Sequence, residues 1–216
     1  MEKLTALYIQ YKGEEPAEIE KIPGAGSNRQ YYRFIGKDGE SVVGVIGTSR
    51  DENHAFIYLD RHFQLRQLPV PHILAVSEDE LCYLQTDLGH TSLFDAIRGG
   101  REAGGRYNQN EQQLLIKTIR ALPNFQIRGA RGLDWKNCYP QPEFDEESVL
   151  FDLNYFKYCF LKATGLDFHE LKLEANFHMF AQDLTSETSD CFLYRDFQAR
   201  NVMLDQEGNP YFIDFQ

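Results

Sequence analysis

Three polar residues near the end of the chain, Asp196, Asn201 and Asp214, have the types and spacing needed for metal-assisted proton transfer. Asp196 and Asn201 are separated by four residues, and Asp214 closes a predicted β-hairpin. A carboxylate can accept a proton from a hydroxyl group, while Asn and Asp supply the hard oxygen ligands that Mg²⁺ prefers. Asp and Asn also cap turns, so any one of these residues alone would favour a structural role.

Short apolar runs surround these three residues. Residues 191–194 are typical of a buried strand, and residues 202–204 and 211–213 flank a segment rich in turn-forming residues. The sequence therefore predicts a strand, a loop and a hairpin, with the polar residues at the strand ends.

The sequences YRDFQARN and IDFQ in this segment resemble the catalytic and metal-binding loops of the aminoglycoside phosphotransferase/choline kinase family, distant relatives of protein kinases. Protein kinases have His and Gly where this chain has Tyr194 and Gln216. The resemblance implies that Asp196 accepts the proton of a substrate hydroxyl and that Asn201 and Asp214 hold Mg²⁺. Arg200 would steady a phosphate or brace the loop.

The same resemblance implies an α+β, two-lobed protein-kinase-like fold. Residues 1–88 would form a nucleotide-binding N-lobe with an antiparallel sheet and a helix. Residues 89–216 would form part of a largely helical C-lobe that holds the catalytic and metal-binding loops. Because the family continues with further helices after its metal-binding loop, the resemblance implies a chain that ends before them.

Two segments are predicted to bind ATP. The Gly-rich turn between the first two strands would let backbone N–H groups approach the phosphates, although similar turns also occur in ordinary hairpins. A strand–hinge–helix connection would place main-chain groups against the adenine edge, although a plain strand–turn–helix unit is the alternative. The residues concerned are Gly24, Ala25, Gly26, Ser27 and Asn28 in the turn, and Gln85, Thr86, Asp87 and Leu88 in the hinge.

The third strand, residues 41–47, lacks the lysine that holds the phosphates in kinases. By spacing, Gly44 is predicted to lie near the position of that lysine. Either loop amides and magnesium hold the phosphates, or the protein is a degenerate kinase; Arg33 or Arg50 could substitute. Glu52 and His54 lie near the place of the helical glutamate that pairs with this lysine, and neither is assigned.

The remaining helices are predicted from apolar periodicity at residues 4–11, 51–67, 92–97, 111–125, 144–163 and 166–185. The aromatic stripe of residues 144–163 is predicted to be core. Residues 99–110 are predicted to be a mobile surface loop and residues 128–142 a connector.

Composition excludes several classes of protein. The formal net charge of −11 argues against a nucleic-acid or anionic-membrane surface. The four cysteines are scattered, which indicates free thiols in a reducing compartment rather than disulfides or a zinc site. No apolar run is long enough for a membrane span or a signal peptide, so a cytoplasmic location is expected.

These patterns together predict an ATP- and Mg²⁺-dependent phosphotransferase that acts on the hydroxyl of a small molecule. The DFQ ending and the catalytic loop resemble bacterial kinases of cell-wall amino sugars, which favours an N-acetylmuramate/N-acetylglucosamine-type 1-kinase. The alternatives are a non-catalytic nucleotide-binding module, an aminoglycoside or choline-like kinase, a protein kinase and an unrelated α+β protein.

Overall fold

The computed structural model describes residues 1–23, 28–186 and 190–215. The chain divides into two compact units, Met1–Pro140 together with Phe192–Gln216, and Gln141–Cys191. The N-terminal sheet and the C-terminal loops therefore belong to the same unit. The predicted lobe boundary between residues 88 and 89 remains a prediction.

The first unit contains an antiparallel sheet with the strand order β1-β2-β3-β5-β4. The Tyr, Phe, Val and Ile residues of its central strands favour this structure because branched and aromatic side chains pack well on a pleated surface. Together with the helices that cover it, the sheet confirms the predicted α+β class. The strands are β1 (Glu18–Ile22), β2 (Gln30–Ile35), β3 (Ser41–Ile46), β4 (Ile73–Val76) and β5 (Cys82–Thr86).

The two faces of the sheet are covered by different helices because successive strand residues point to opposite sides. Helix α1 (Glu2–Lys12), which Gly13 ends in a left-handed conformation, packs its Leu4 and Tyr8 against one face. Helix α2 (Arg50–Leu65), which Ser49 caps, packs against the other. We call this second side, which carries Val45 and Tyr83, the cleft face.

Helix α2 is also held by α5 (Gln109–Ala130). The buried His62 donates its Nε2 hydrogen to the carbonyl of Gly129 at 2.8 Å. The Phe63 and Phe125 rings lie 4.7 Å apart between their centroids. These contacts join the sheet side of the unit to the elements that carry the C-terminal loops.

The C-terminal segment forms the predicted hairpin of β6 (Val202–Leu204) and β7 (Pro210–Phe212). The strand predicted at residues 191–194 is wrong: no strand partner is found for it among the described residues. Instead, Phe192 and Tyr194 are buried, and the Phe192 N–H donates to the Gln126 carbonyl of α5. An apolar run predicts burial, whereas a strand also requires a pairing partner.

Two short helices precede α5. Helix α3 (Leu93–Ala96) lies within the helix predicted at residues 92–97, and the hydroxyl of its N-cap Ser92 accepts from the Asp95 N–H. Helix α4 (Arg98–Glu102) occupies the start of the segment predicted as a loop at residues 99–110. The prediction was wrong at that point because two glycines in sequence indicated a break, whereas the buried Gly100 packs closely against Tyr107.

The second unit contains α6 (Glu146–Phe156), which continues through a π-helical turn (Lys157–Leu161), and α7 (Glu170–Thr185). The predicted aromatic core stripe is wrong for this structure. Lys157 is buried between Glu170 and Glu174, while the aromatic side chains are exposed. Periodicity identifies an apolar face but not what covers it. The exposed aromatics are Phe151, Tyr155, Phe156, Tyr158 and Phe160.

Two predictions from composition were compared with the structure. In the described ranges, no helix combines the length and apolar character that crossing a bilayer requires. The four cysteines are free thiols.

Asp60 of α2 provides a test of the core that joins α2 to the sheet. It is fully buried, accepts hydrogen bonds from the Ile73 N–H and the Gln64 amide, and burial raises its pKa to about 7. Because the folded-state pKa exceeds the unfolded value, this carboxyl contributes stability at acidic pH that is lost as the pH rises to about 7.

We therefore expect Asp60→Asn to increase the free energy of unfolding at pH 8 by roughly 2–4 kcal/mol and to flatten its decline between pH 5 and 8. The asparagine oxygen can accept both hydrogen bonds. Chemical denaturation at pH 5, 6.5 and 8 measures the effect, with the exposed Asp51→Asn of the same helix as the control for charge loss. A variant less stable than wild type at pH 8 would contradict this account of Asp60.

Candidate functional site

The hairpin brings the ends of its two strands together, and with them Asn201 and Asp214. Asn201 ends a single 3₁₀ turn immediately before β6, and Asp214 follows β7. Val202 pairs with Phe212, and beyond this pair the Ile213 N–H donates to the Asn201 carbonyl at 3.0 Å. The two sequence motifs therefore meet through main-chain pairing.

Tyr194 ties the same two loops together. Its hydroxyl donates to the carbonyl oxygens of Asn201, at 3.1 Å, and of Ile213. The side chain is buried, and burial, followed by the charges of Asp214 and Asp196, raises its pKa well above the usual value. The phenol therefore stays protonated as a donor. Its position in the motif is the one where protein kinases have histidine.

Asp196 and Asn201 are joined by a local hydrogen bond. The Asn201 side-chain amide donates from Nδ2 to the Asp196 carbonyl at 3.1 Å, which leaves Oδ1 as an acceptor. The Asp196 residue itself is exposed. This arrangement fixes the loop through its backbone and leaves the carboxylate accessible to a substrate.

Asp214 has a left-handed backbone, with φ of 57°. This conformation costs an L-residue roughly 1–2 kcal/mol, and Asp tolerates it better than most residues do. The next residue, Phe215, is fully buried and stacks on Phe56 of α2 at 5.1 Å between centroids. The buried phenylalanine holds the turn in place, while the Asp214 side chain stays partly exposed.

The donor set suits magnesium bound together with a phosphate ligand. Asn201 and Asp214 supply amide and carboxylate oxygens on adjoining loops. Among the described residues there is no group of three or more His, Cys, Asp or Glu side chains that could hold a metal ion. Magnesium commonly takes one or two protein ligands and completes its shell with phosphate oxygens and water, so these two residues fit it.

The predicted hinge residues have different environments. Gln85 is buried at the end of β5, and Thr86 hydrogen-bonds through its N–H and its hydroxyl to the main chain of His72. Within the described part of the chain, no hydrogen bond occupies the main chain of Leu88. The Leu88 main chain is therefore available to a ligand.

The Asp87 side chain is structural. Its carboxylate accepts from the Arg33 guanidinium and, at 2.7 Å, from the Ser41 hydroxyl. Burial favours the neutral acid, but these hydrogen bonds outweigh it and hold the pKa of Asp87 below its usual value. Arg33 also donates to the Gly89 carbonyl. The hinge is therefore anchored to β2.

A cavity of about 380 Å³ lies beside this hinge. Its walls come from β1, β2, the two residues that follow the hinge, and β6, so that it lies between the sheet and the hairpin. The predicted residues Asp196, Asn201 and Asp214 do not line it. The lining residues are Glu20, Lys21, Ile22, Pro23, Arg33, Gly89, His90 and Met203.

Four residues of the predicted phosphate-binding turn, Gly24, Ala25, Gly26 and Ser27, lie outside the described residues. Asn28, the last residue of that turn, is exposed. The Arg200 guanidinium lies over the ring of Phe94 in α3, at 4.3 Å from the centroid. This contact supports a bracing role for Arg200.

Sequence reasoning missed Arg29. This residue is 4% exposed and contacts Glu52 of α2, at 3.0 Å between Nη2 and Oε1. Its Nη1 lies 4.0 Å from Oδ1 of Asp214. The arginines that we considered instead have other partners, since Arg33 pairs with Asp87 and Arg50 with Glu80.

A signal for Arg29 exists in the sequence. Tyr31 and Arg33 lie on the cleft face of β2, where they pair with Val45 and Val43 of β3. Arg29 continues the same alternation just before the strand begins. Two arginines at a spacing of four on a buried face require acceptors. Which acceptors they find depends on the tertiary structure.

We expect Tyr194→Phe to lower the free energy of unfolding by about 1–3 kcal/mol, because the Ile213 carbonyl loses its Tyr194 donor and the Asn201 carbonyl keeps only the Ile213 N–H. Thermal or chemical denaturation measures the change. Tyr211→Phe is the matched control, since no hydrogen bond of the Tyr211 hydroxyl is found in residues 1–23, 28–186 and 190–215. Equal losses in the two variants would contradict the bridging role of Tyr194.

Comparison with known proteins connects this geometry to a family. A model of the phosphotransferase enzyme family matches residues 18–216. An N-acetylmuramate/N-acetylglucosamine kinase of Pseudomonas aeruginosa is 26% identical over 205 residues, which is 93% of this chain. The chain spans 55% of the length of that relative.

Solved structures show the same fold. The GDP and kanamycin complex of APH(2")-IIia superposes with a TM-score of 0.60 at 10% identity, over 100% of this chain and 72% of that one. The streptomycin–ATP–APH(2")-IIa ternary complex gives a TM-score of 0.59 at 11% identity, over 99% and 69%. The fold is thus the two-lobed kinase-like fold predicted from the C-terminal motifs, and the chain belongs to the phosphotransferase enzyme family.

Proposed function

We propose that this chain carries the nucleotide-binding and catalytic parts of an ATP-dependent phosphotransferase that acts on the anomeric hydroxyl of an amino sugar of the N-acetylmuramate/N-acetylglucosamine type. The main support for phosphoryl transfer to a hydroxyl is the connection between the Asp196 loop and the Asp214 loop. Tyr194 and the Ile213–Asn201 hydrogen bond make this connection. It supports a shared site for a hydroxyl acceptor and a metal-bound phosphate.

Each of the three predicted residues has a distinct role in this proposal. Asp196 orients the acceptor hydroxyl and accepts its proton, for which its exposure is suitable. Asn201 and Asp214 hold Mg²⁺ through their side-chain oxygens. Mg-ATP, when bound, supplies the phosphoryl group and neutralises the charge that develops during transfer. The protein contributes mainly positioning and charge stabilisation.

The nucleotide is assigned to the cavity beside the hinge. Ile22 and Met203 supply apolar walls. Leu88 itself does not line this cavity, but its main chain, next to the lining residue Gly89, would meet the adenine edge. The turn of Gly24–Asn28 would cover the phosphates, and Arg200 would brace the catalytic loop. In this assignment residues 1–88 are the N-lobe and residues 89–216 are part of the C-lobe.

The amino-sugar acceptor rests on the 26% identical relative and on the DFQ motif. Aminoglycosides and choline-like alcohols are the competing acceptors. Aminoglycosides are included because the structural neighbours were solved with kanamycin or streptomycin. The net charge of −11 disfavours a nucleic-acid or anionic-membrane partner. Free cysteines and the use of ATP suit the cytoplasm.

The absence of a lysine from β3 favours one rival, a nucleotide-binding module without catalysis. Position 44, where we expected the lysine by spacing, is on the wrong face. A Cβ atom on Gly44 would point toward Leu4 of α1, at 2.9 Å from its Cδ2. The cleft-face residues of β3 are Ser41, Val43 and Val45. The Ser41 hydroxyl is bonded to Asp87, and neither valine can bind a phosphate.

We expect Asp196→Asn in the full-length protein to lower kcat by about 10²–10⁴-fold with little change in ATP affinity, because it removes a proton acceptor. Asp214→Ala should instead weaken the binding of Mg-ATP. Steady-state kinetics and calorimetry separate these effects, with the exposed Asp190→Asn as the control. Activity of Asp196→Asn equal to that of wild type would contradict its assignment as the base.

The acceptor is tested with labelled Mg-ATP and a panel of N-acetylmuramate, N-acetylglucosamine, kanamycin, streptomycin and choline. We expect phosphate on the anomeric oxygen of the two amino sugars. Transfer to an antibiotic or choline alone would replace the acceptor but retain the reaction class. No transfer to any acceptor, together with ATP binding that does not depend on Mg²⁺, would support the non-catalytic module.

A further inference from the structure

The cleft face of the sheet has a buried cation that does not come from β3. Arg29 lies between the phosphate-binding turn and β2, and its side chain is 2% exposed. A guanidinium is always charged in proteins, and burying it without partners is strongly unfavourable. The partners of Arg29 therefore indicate the role of this residue.

Two carboxylates face this guanidinium. Nη2 pairs with Oε1 of Glu52 at 3.0 Å and also donates to the Glu52 carbonyl at 3.3 Å. Nη1 lies 4.0 Å from Oδ1 of Asp214. The planar fork of arginine allows different nitrogens to bind acceptors on different elements. Arg29 thus connects β2, the first turn of α2 and the metal-binding loop.

Aromatic packing holds the guanidinium in place. Its Cζ lies 5.3 Å from the centroid of Phe56 in α2. Phe56 in turn stacks on Tyr83 of β5 and on Phe215, the residue after Asp214. Tyr31 forms a hydrogen bond with the Arg29 side chain. The ion pair and the aromatic stack therefore join the same elements, so that displacement of one would disturb the other.

The balance of charge also suits a metal site. One guanidinium between two carboxylates leaves a net negative charge, and Asp214 lies at 4.0 Å, beyond a close ion pair, with its side chain 38% exposed. Arg29 can therefore hold the Asp214 carboxylate in place by attraction without forming a close bidentate pair. A closer bidentate pair would occupy both oxygens.

We propose that Arg29 takes the structural place of the missing β3 lysine, as a positioning residue that pairs with Glu52 and sets Asp214 for the nucleotide-bound Mg²⁺. The proposal rests on the proposed function of the site. It resolves the two explanations left open by the sequence in favour of a working site. It also assigns Glu52 the role of the helical partner.

The decisive measurement is ATP affinity with and without Mg²⁺ by calorimetry, in the full-length wild-type protein and in Arg29→Met. A positioning role predicts that the variant loses about tenfold or more of the affinity gained with Mg²⁺, whereas Mg-free ATP binds within about threefold of wild type. Arg29→Lys should recover part of the gain. The KM for Mg-ATP should rise more than kcat falls.

Arg50→Met is the matched control, because it removes an arginine that pairs with Glu80 at the surface, next to the same helix start. It should leave the effect of Mg²⁺ unchanged. Glu52→Gln is the second test variant. It should reduce the increase in ATP affinity that Mg²⁺ causes by about threefold or more. If thermal melts show that Arg29→Met does not fold, the Glu52→Gln result decides whether the ion pair has a positioning role.

Three results would overturn the proposal. An unchanged effect of Mg²⁺ in folded Arg29→Met, or in Glu52→Gln if the first variant fails to fold, would remove the positioning role. An equal loss of Mg-free and Mg-bound affinity would show direct phosphate binding by Arg29 instead. Wild-type protein that binds ATP without any effect of Mg²⁺ would overturn the proposed function itself, and this proposal with it.

Discussion

The aromatic cluster around Phe215 is the interaction on which the rest of the structure depends. Its ring stacks on Phe56, meets Phe63 edge-on and lies 6.0 Å from Phe125. The cluster therefore joins helices α2 and α5 to the loop that carries Asp214. Burial of such a side chain stabilises the fold by about 1.5–3 kcal/mol from area alone, and the aromatic contacts add to it. The turn with a left-handed Asp214 can persist because its neighbour Phe215 is fixed in this way.

Buried ion pairs specify the geometry of elements that pack on this apolar core. Arg33 in β2 and Arg29 just before it bind carboxylates on different elements, Asp87 and Glu52. Arg33 anchors the hinge through Asp87, and Arg29 reaches α2 and the loop that carries Asp214. Buried ion pairs contribute little net stability when compared with apolar substitutes, but loss of one partner is costly. Their value in this chain is that they specify geometry where aromatic packing alone would allow several arrangements.

Tyr194 shows how a departure from a familiar motif can keep the loops connected. A histidine has two ring nitrogens, whereas tyrosine offers one hydroxyl, and here that hydroxyl reaches two carbonyl groups. The apolar ring packs beside Phe125 and Phe197, so the residue also belongs to the core. The same side chain thus connects the packing of the unit with the register of the two loops.

The sequence by itself determined the local features. Short apolar runs predicted the strands, and the spacing of Asp196, Asn201 and Asp214 at strand ends predicted the hairpin site. The YRDFQARN and IDFQ motifs carried the resemblance to the family. These features depend on neighbours within a few residues, which a sequence pattern records directly. Only the tertiary structure decided that residues 191–194 lie against α5 without pairing as a strand. It alone decided that Gly44 faces α1, and that Arg29 rather than Arg33 or Arg50 reaches Glu52 and Asp214, because the partner of a buried charge is set by contacts between elements distant in sequence.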